Sequence, residues 1–569
     1  MKSFTFHPLP IAAAIAVALS AGSTFAQAIP DAGEALRQAK PPAAPVAPKA
    51  DIPEVGGLQI EPPMTALPSG PAVDVKGIAI VGNRELPLSA LEPLVADAAG
   101  KSLTLPELEA VAQRVTKFYR AKGYFVARAY IPAQEVTSGT ITVRVVEGNY
   151  GQFILKNESL VKDAVVQAML DDVKKYDIVS LDTLERAMLI INDTPGVQVT
   201  RADVMPGQKV GTSDFAVDTA ATQRHNGYVM VDNFGSRYTG VNRLSFNADV
   251  NSPTGRGDKL SVSGLASDSA DLLNGRVAYA TLLRPNGLRG EVAVSQTQYA
   301  LGGSYANLDA RGTARSVDGT LTYPVKRTRA TTLEASWGAS LKDLTDEVRS
   351  TSTVTPKSLV STTAALSLRD ERTVLGYDGL TQANVGITVG SLDIKDATAL
   401  ASDAAGAQTQ GNYGKLVAGI SRVSLLPKSY TLTTSLRAQQ SLSNKNLDSS
   451  ERMAVSGSGG VMAYPPGELI GTNALFARVE LSHPLPAIKA VPQLSHGALV
   501  FADWGQAAAA RAVSTSDARR SISDVGLGWT ANWKGGFLKA YAAYRIEDSE
   551  PVSETTDRTR LLVQAGWLF

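Results

Sequence analysis

RLLVQAGWLF, residues 560–569, closes the chain in strict alternation. Side chains of a strand point to opposite faces in turn, so Leu561, Val563, Ala565, Trp567 and Phe569 share one face. A continuous apolar row ending in aromatics predicts a strand whose outer face meets lipid. The same texture extends upstream to about Gly227, in segments such as RLSFNADV (243–250), GEVAVSQTQYAL (290–301), TTLEASWGASL (331–341) and TQANVGITVGSL (381–392). Each carries one apolar and one polar or small row, and Gly, Asn, Asp, Ser and Pro clusters separate them. Roughly sixteen such strands predict a transmembrane β-barrel over 226–569, and an even count leaves both ends of the barrel on one side.

Connection length sorts the two sides. RPNG (284–287), KRTRA (326–330) and LPKS (426–429) are tight, whereas 393–412 is long and polar. Short turns belong on the periplasmic side and long loops outside. A soluble sandwich or solenoid is the competing reading. The graded loops, the aromatic terminus and the N-terminal segment argue against it. GRGD (255–258) reads as one of the periplasmic turns, with G1-type geometry, rather than as an adhesion ligand.

At that N-terminus Lys2 precedes the apolar run IAAAIAVALSAG (11–22) and a small-residue exit at Thr24-Phe25-Ala26. This predicts a signal peptide over 1–26, since the run is shorter than the ~20 residues of a spanning helix. Residues 27–72 are rich in alanine and proline. Within them DAGEALRQAK (31–40) predicts a short helix, and PPAAPVAPKADIPEV (41–55) an extended tether. The expectation is a helix on a leash that plugs the resting pore.

Between tether and barrel the order strand, helix, helix, strand, strand occurs twice, over 73–148 and 149–225. In TLPELEAVAQRVTKFYRAKGY (104–124), Leu108, Val111, Ala112 and Val115 recur at helical spacing. Each copy predicts a three-stranded sheet with helices on one face.

The repeat resembles the polypeptide-transport-associated (POTRA) module. LERAMLIINDTPGVQV (184–199) with MPGQKVGTSDFAV (205–217) resembles the second such module of two-partner-secretion outer-membrane transporters, the hemolysin secretion/activation (ShlB/FhaC/HecB) family of the Omp85 superfamily. Residues 231–264 and the final Trp567-Leu568-Phe569 are similar to that family's first strands and terminus. The resemblance implies an outer-membrane protein that recognises an unfolded, β-rich secreted exoprotein in the periplasm, by its N-terminal secretion domain, and exports it without ATP. It implies that Trp567 and Phe569 form an insertion signal read by the barrel-assembly machinery. The alternative is an Omp85-type assembly insertase, which shares modules and inward loop.

The resemblance also gives a role to GGVMAYPPGE (459–468). Gly459 and Gly460 are expected to take unusual backbone angles, and Pro465–Pro466 to stiffen the turn. In the family the loop, here 442–472, folds into the pore with Val-Arg-Gly-Tyr or Val-Arg-Ala-Tyr at its tip. Here the tip, after Gly460, reads Val461, Met462, Ala463 and Tyr464, so the arginine is missing. Its partner motif on the barrel wall is intact as Phe501, Asp503 and Gly505. A loop without that bond is expected to be held loosely, unless Arg452, Arg478 or Arg511 reaches Asp503. Gly471-Thr472 replaces the family's Gly-Asp, a second lost charge.

The 55 basic and 54 acidic residues balance, which gives no general attraction to nucleic acid. With no cysteine and four histidines, no thiolate or clustered metal site is expected, and no cofactor. No phosphate-cradling GxxxxGK[ST] and no nucleophile–base set stands out, so an enzyme is not expected.

Overall fold

The computed structural model describes residues 30–39, 53, 71–512, 519–548, 550–554 and 556–569. The expected signal peptide (1–26) and nearly all of the tether up to residue 70 lie outside them.

Helix α1 (Ala32–Gln38) is the short N-terminal helix, capped by Asp31, whose carboxylate accepts the Glu34 amide at 3.0 Å. The first module comprises β1 (Val73–Asp74), β2 (Gly77–Val81), α2 (Leu88–Leu91), β3 (Ser102–Leu103), α3 (Leu105–Ala121), β4 (Arg128–Tyr130) and β5 (Thr140–Val146). Its sheet runs β2-β5-β4, with β2 parallel to β5. Glu107 accepts the Thr104 amide at 2.7 Å and starts α3, which buries Leu108, Val111, Ala112, Val115 and Tyr119. The stripe read from spacing is therefore the buried one.

The second module repeats the order with β6 (Asn149–Glu158), α4 (Asp163–Asp171), α5 (Leu181–Asn192), β7 (Gln198–Pro206) and β8 (Thr212–Ala220). Its sheet is β6-β8-β7, again with one parallel and one antiparallel pairing. Leu184, Met188 and Ile191 of α5 pack on Phe215 and Val217 of β8.

The barrel opens with β9 (His225–Asp232), β10 (Arg243–Asn251), β11 (Lys259–Ser267), β12 (Leu272–Leu282) and β13 (Arg289–Ala300). Long strands follow: β14 (Ala310–Arg327), β15 (Thr331–Val348), β16 (Thr353–Asp370), β17 (Gly379–Ile394) and, after a loop carrying α6 (Ala397–Ala405), β18 (Gly411–Leu425). After β19 (Thr431–Ser441) comes the long loop, with its own small pair β20 (Met453–Ala454) and β21 (Ile470–Gly471). The wall ends with β22 (Asn473–Pro484), β23 (Ser495–Ala508), β24 (Arg520–Trp533), β25 (Gly536–Arg545) and β26 (Thr559–Leu568).

Sixteen of these strands form one closed antiparallel barrel, sealed by β26 against β9. Val231, Phe246, Trp337, Val360, Ile387, Val500, Leu527 and Leu561 are exposed on the outer face. Such a belt would be untenable in water and is what hydrocarbon demands. In the terminal strand Leu561, Val563, Trp567 and Phe569 face out, while Leu562 and Gln564 are buried inside. No helix among the described residues is long and apolar enough to cross a membrane, which says nothing of strands.

The second module is fastened to the periplasmic turns. Arg327 Nε and Nη2 donate to Asp193 at 2.6 and 3.2 Å, and the Lys162 amide donates to the Gly255 carbonyl at 2.9 Å. The GRGD turn is the docking surface here: Gly257 has φ 68°, and a Cβ on it would lie 2.2 Å from Thr194 Cγ2. Asp258 folds back to accept the Arg256 amide at 3.1 Å and the Tyr279 hydroxyl at 3.0 Å.

Candidate functional site

Two elements that are not barrel strands fill the lumen. Helix α1 lies against the outer half of the wall, where Ala32, Ala35 and Ala39 pack with Tyr299, Ala310, Leu344, Leu359 and Tyr413. Small residues allow this close approach. The sharpest case is Gly33, where a Cβ would fall 2.3 Å from Ser449 Oγ. The helix start is held by polar contacts: its Ala32 amide donates to Asp346 at 2.7 Å, and Ser449 Oγ donates to Asp31 at 2.6 Å. Lys357 Nζ lies 3.7, 3.9 and 3.5 Å from carboxylate oxygens of Asp31, Asp346 and Asp448, one each from helix, wall and loop. At the other end Arg243 donates to the Gln38 carbonyl at 3.0 Å. Burial pushes the Glu34 carboxyl above its ordinary range, and Arg37 beside it offsets part of that rise.

The loop descends beside the helix. Its base is anchored by Glu451, which meets Lys342 at 2.5 Å and Lys415 at 2.8 Å. Burial raises that carboxyl, and the two ammonium groups outweigh it, so it sits below the ordinary carboxylate range. Thr472 occupies the position of the second lost charge and is buried, its hydroxyl accepting the Leu447 amide at 3.1 Å.

At the tip, Val461, Met462, Ala463 and Tyr464 are all buried against Phe476, Phe501, Ile522, Ala543 and Leu562 of the wall. Met462 thus behaves as an apolar core residue. The backbone reading of the tip needs correcting. Gly459 and Gly460 stay out of the left-handed region, and the turns are made by Gly457 (φ 88°) and Gly467 (φ 85°). Gly460 is small for a different reason, since a Cβ there would meet the Val455 carbonyl oxygen at 2.3 Å.

Asp503 is fully buried and bound bidentately: Arg478 Nε and Nη2 donate to its two oxygens, each at 2.6 Å. The two residues are direct cross-strand partners on β22 and β23. Arg478 Nη2 also donates to the Gly460 carbonyl at 3.1 Å. Of the two alternatives, a loose tip or a lock rebuilt by Arg452, Arg478 or Arg511, the geometry matches the second with Arg478: the guanidinium on Asp503 comes from the wall, and it grips the tip by its main chain.

Neighbouring wall residues do the same. Arg437 donates to the Gly459 carbonyl, Arg560 to the Tyr464 carbonyl at 2.8 Å, and Asp524 accepts the Ala463 amide at 2.6 Å. The Tyr464 hydroxyl donates to Glu547 at 2.9 Å. Gly505 earns its place by contact: a Cβ would press to 3.0 Å from Val455 Cβ and 3.1 Å from Val461 Cγ2. The Phe501 ring lies under the Arg478 guanidinium, 5.5 Å from ring centre to Cζ. The wall motif and the tip motif therefore meet, whereas Trp567 and Phe569 stand apart on the outer face at the seam. There Phe569 exchanges backbone hydrogen bonds with Gly227 at 2.9 and 3.1 Å.

Sequence reasoning missed Arg437, Arg560, Asp524 and Lys357. Each is a charged residue on the inner row of a strand, and that alternation was the available signal. Among the described residues no group of His, Asp and Glu could hold a metal ion.

Comparison with known proteins supplies the family. The ShlB-type POTRA domain matches residues 73–148, and the haemolysin secretion/activation protein ShlB/FhaC/HecB family matches 211–531. The chain belongs to that family. It is 28% identical over 424 residues to the heme/hemopexin transporter protein HuxB of Haemophilus influenzae (strain 86-028NP), covering 74% of each chain. The fold is that of CdiB from Escherichia coli, with TM-score 0.71, 19% identity, and 91% and 94% of the two chains covered. BamA from Haemophilus ducreyi lacking POTRA domains 1-3 is more distant, at TM-score 0.50 and 13% identity, covering 87% of this chain and all of that one. As a family member the chain is an outer-membrane translocator of the two-partner secretion type, with its modules in the periplasm and a secreted exoprotein as partner.

Proposed function

We propose that the chain captures the N-terminal secretion domain of a β-rich exoprotein in extended form on its two modules, and passes it through the barrel. Helix α1 and the loop tip close the lumen at rest and withdraw during passage. Capture by strand addition suits the free edges of β2, β4, β6 and β7, whose unpaired backbone groups accept an added strand. Energy comes from folding of the exoprotein outside rather than from ATP. The outward apolar belt faces membrane lipid, and the barrel-assembly machinery reads Trp567 and Phe569 during insertion.

One observation carries this reading. The lumen is filled by elements that contribute no strand to the closed wall, so both can leave while every ladder stays paired. At rest the wall is closed by β26 and β9, paired over Gln564↔Asp232 to Leu568↔Tyr228 and extended by Phe569.

The test is a two-plasmid secretion assay with a candidate exoprotein from the same genome. Removal of 73–148 or 149–222 is expected to abolish secretion while the barrel stays folded and heat-modifiable. Secretion that persists without both modules would overturn the reading.

A further inference from the structure

Helix α1 leaves positive charge unanswered in the lumen. Its Glu34 accepts the Gln38 side-chain amide at 3.0 Å and sits against Gly467 of the loop, where a Cβ would fall 2.1 Å from Glu34 Oε1. Arg37, three residues on, has no carboxylate partner among the described residues, and its Nη1 is buried without a hydrogen bond. Arg452 of the loop is near enough to repel it, and the Arg452 Nε is buried and unbonded too. The other acidic groups that act on Arg37, Asp31 and Asp448, already face Lys357 at 3.7 and 3.5 Å. Buried polar nitrogens without an acceptor are rare in folded proteins, and a pair of them carrying like charge asks for an anion.

A cavity of about 440 Å³ opens beside Arg37. Arg37 of α1, Arg243 of β10 and Arg437 of β19 line it, Glu34 is the carboxylate among its described lining residues, and Ser458 comes from the loop. Arg243 is paired with Asp232 at 2.8 Å, which leaves Arg37 and Arg437 against Glu34 alone. Arg437 donates to the Gly459 carbonyl and lies over the Phe476 ring, 4.6 Å from its centre, and has no carboxylate partner among the described residues.

We infer that this cavity binds a small oxyanion of the phosphate or sulfate class, which bridges helix, wall and loop and locks the lumen in its resting state. This rests on the reading that α1 and the loop close the lumen at rest, and adds the ligand that holds them there. A guanidinium meets oxyanions well because its fork of N–H donors reaches two oxygens at once. Arg37 and Arg437 belong to different elements, so one anion between them neutralises charge on both and joins the helix to the wall. The volume also admits waters that bridge the ion to the Ser458 hydroxyl. Arg37 leaves with α1, so the site is complete only in the closed state. A ligand that binds one state alone shifts the equilibrium toward that state.

Calorimetry on the full-length protein in detergent, with sodium phosphate or sulfate replacing chloride at constant ionic strength, reads the site. One ion per chain is expected. Arg37→Gln and Arg437→Gln should each weaken binding roughly tenfold. Arg276→Gln, on an arginine of β12 already paired with Glu291, should leave it unchanged. Glycerol phosphate separates two sources of the same chemistry: binding of inorganic phosphate alone assigns the site to a free ion, and equal or tighter binding of the ester assigns it to the phosphate of a larger molecule. In planar bilayers, phosphate at ten times its Kd should lower the open probability roughly tenfold, and only about twofold in Arg437→Gln, in which α1 is unaltered. Absence of binding, or binding and gating unchanged in both variants, would overturn the inference. Neither readout involves the exoprotein, so that failure leaves the translocation reading intact, which secretion by the module deletions tests separately.

Discussion

Replacing Arg478 by alanine removes three hydrogen bonds at once, two to Asp503 and one to the Gly460 carbonyl. Asp503 has no exposed side-chain surface, and Arg478 keeps only 17% of its own. Breaking a buried pair by removing one partner costs about 3–5 kcal/mol, because a charge is left uncompensated. The barrel absorbs this, since the ladder of β22 and β23 runs from Asn473↔Ala508 to Pro484↔Gly497. The loop does not: its share, one charge-assisted bond, is about 1.5–3 kcal/mol, which converts to roughly ten- to a hundredfold in the equilibrium between docked and undocked tip. Spin labels at the half-buried Ser458 and on the wall, read as distance distributions, should show a new undocked population in Arg478→Ala. Met462→Arg in that background should restore the docked distance. In the natural background it should loosen the tip, because both Asp503 oxygens are already bonded and the added charge would be buried among apolar side chains without a partner. An unchanged distribution in Arg478→Ala, or marked tightening by Met462→Arg alone, would refute the reasoning.

Gly33→Val should drive α1 from its seat against Ser449 and raise single-channel conductance in planar bilayers, with the barrel still heat-modifiable. Lys357→Met should leave Asp31, Asp346 and Asp448 facing one another without their shared cation, lengthening channel open times. Arg327→Ala should broaden label distances between the second module and the barrel, since Asp193 loses its bidentate donor.

Much of this architecture was legible because its signals are periodic. The alternation of residues 560–569 fixed which face meets lipid, and the spacing of Leu108, Val111, Ala112 and Val115 marked the buried side of α3. The tip was legible only as a pair of motifs. Its resolution needed register: Arg478 lies well inside β22, and only strand pairing sets it opposite Asp503. Gly459 and Gly460 misled because glycine reports either backbone freedom or lack of space, and composition does not separate the two. At Gly460 the second holds. The Lys357 cluster was hidden because its carboxylates, Asp31, Asp346 and Asp448, come from three distant segments that meet only in the lumen.

The most direct measurement is secretion through a protein whose helix cannot leave. Ala32 and Asp346 are in backbone-to-side-chain contact at 2.7 Å, so paired cysteines at these positions can tether α1 to the wall. Under oxidising conditions the tethered protein should fold, insert and secrete nothing, and reductant should restore export. Full secretion with the disulfide intact would mean that the exported chain does not use the space α1 fills.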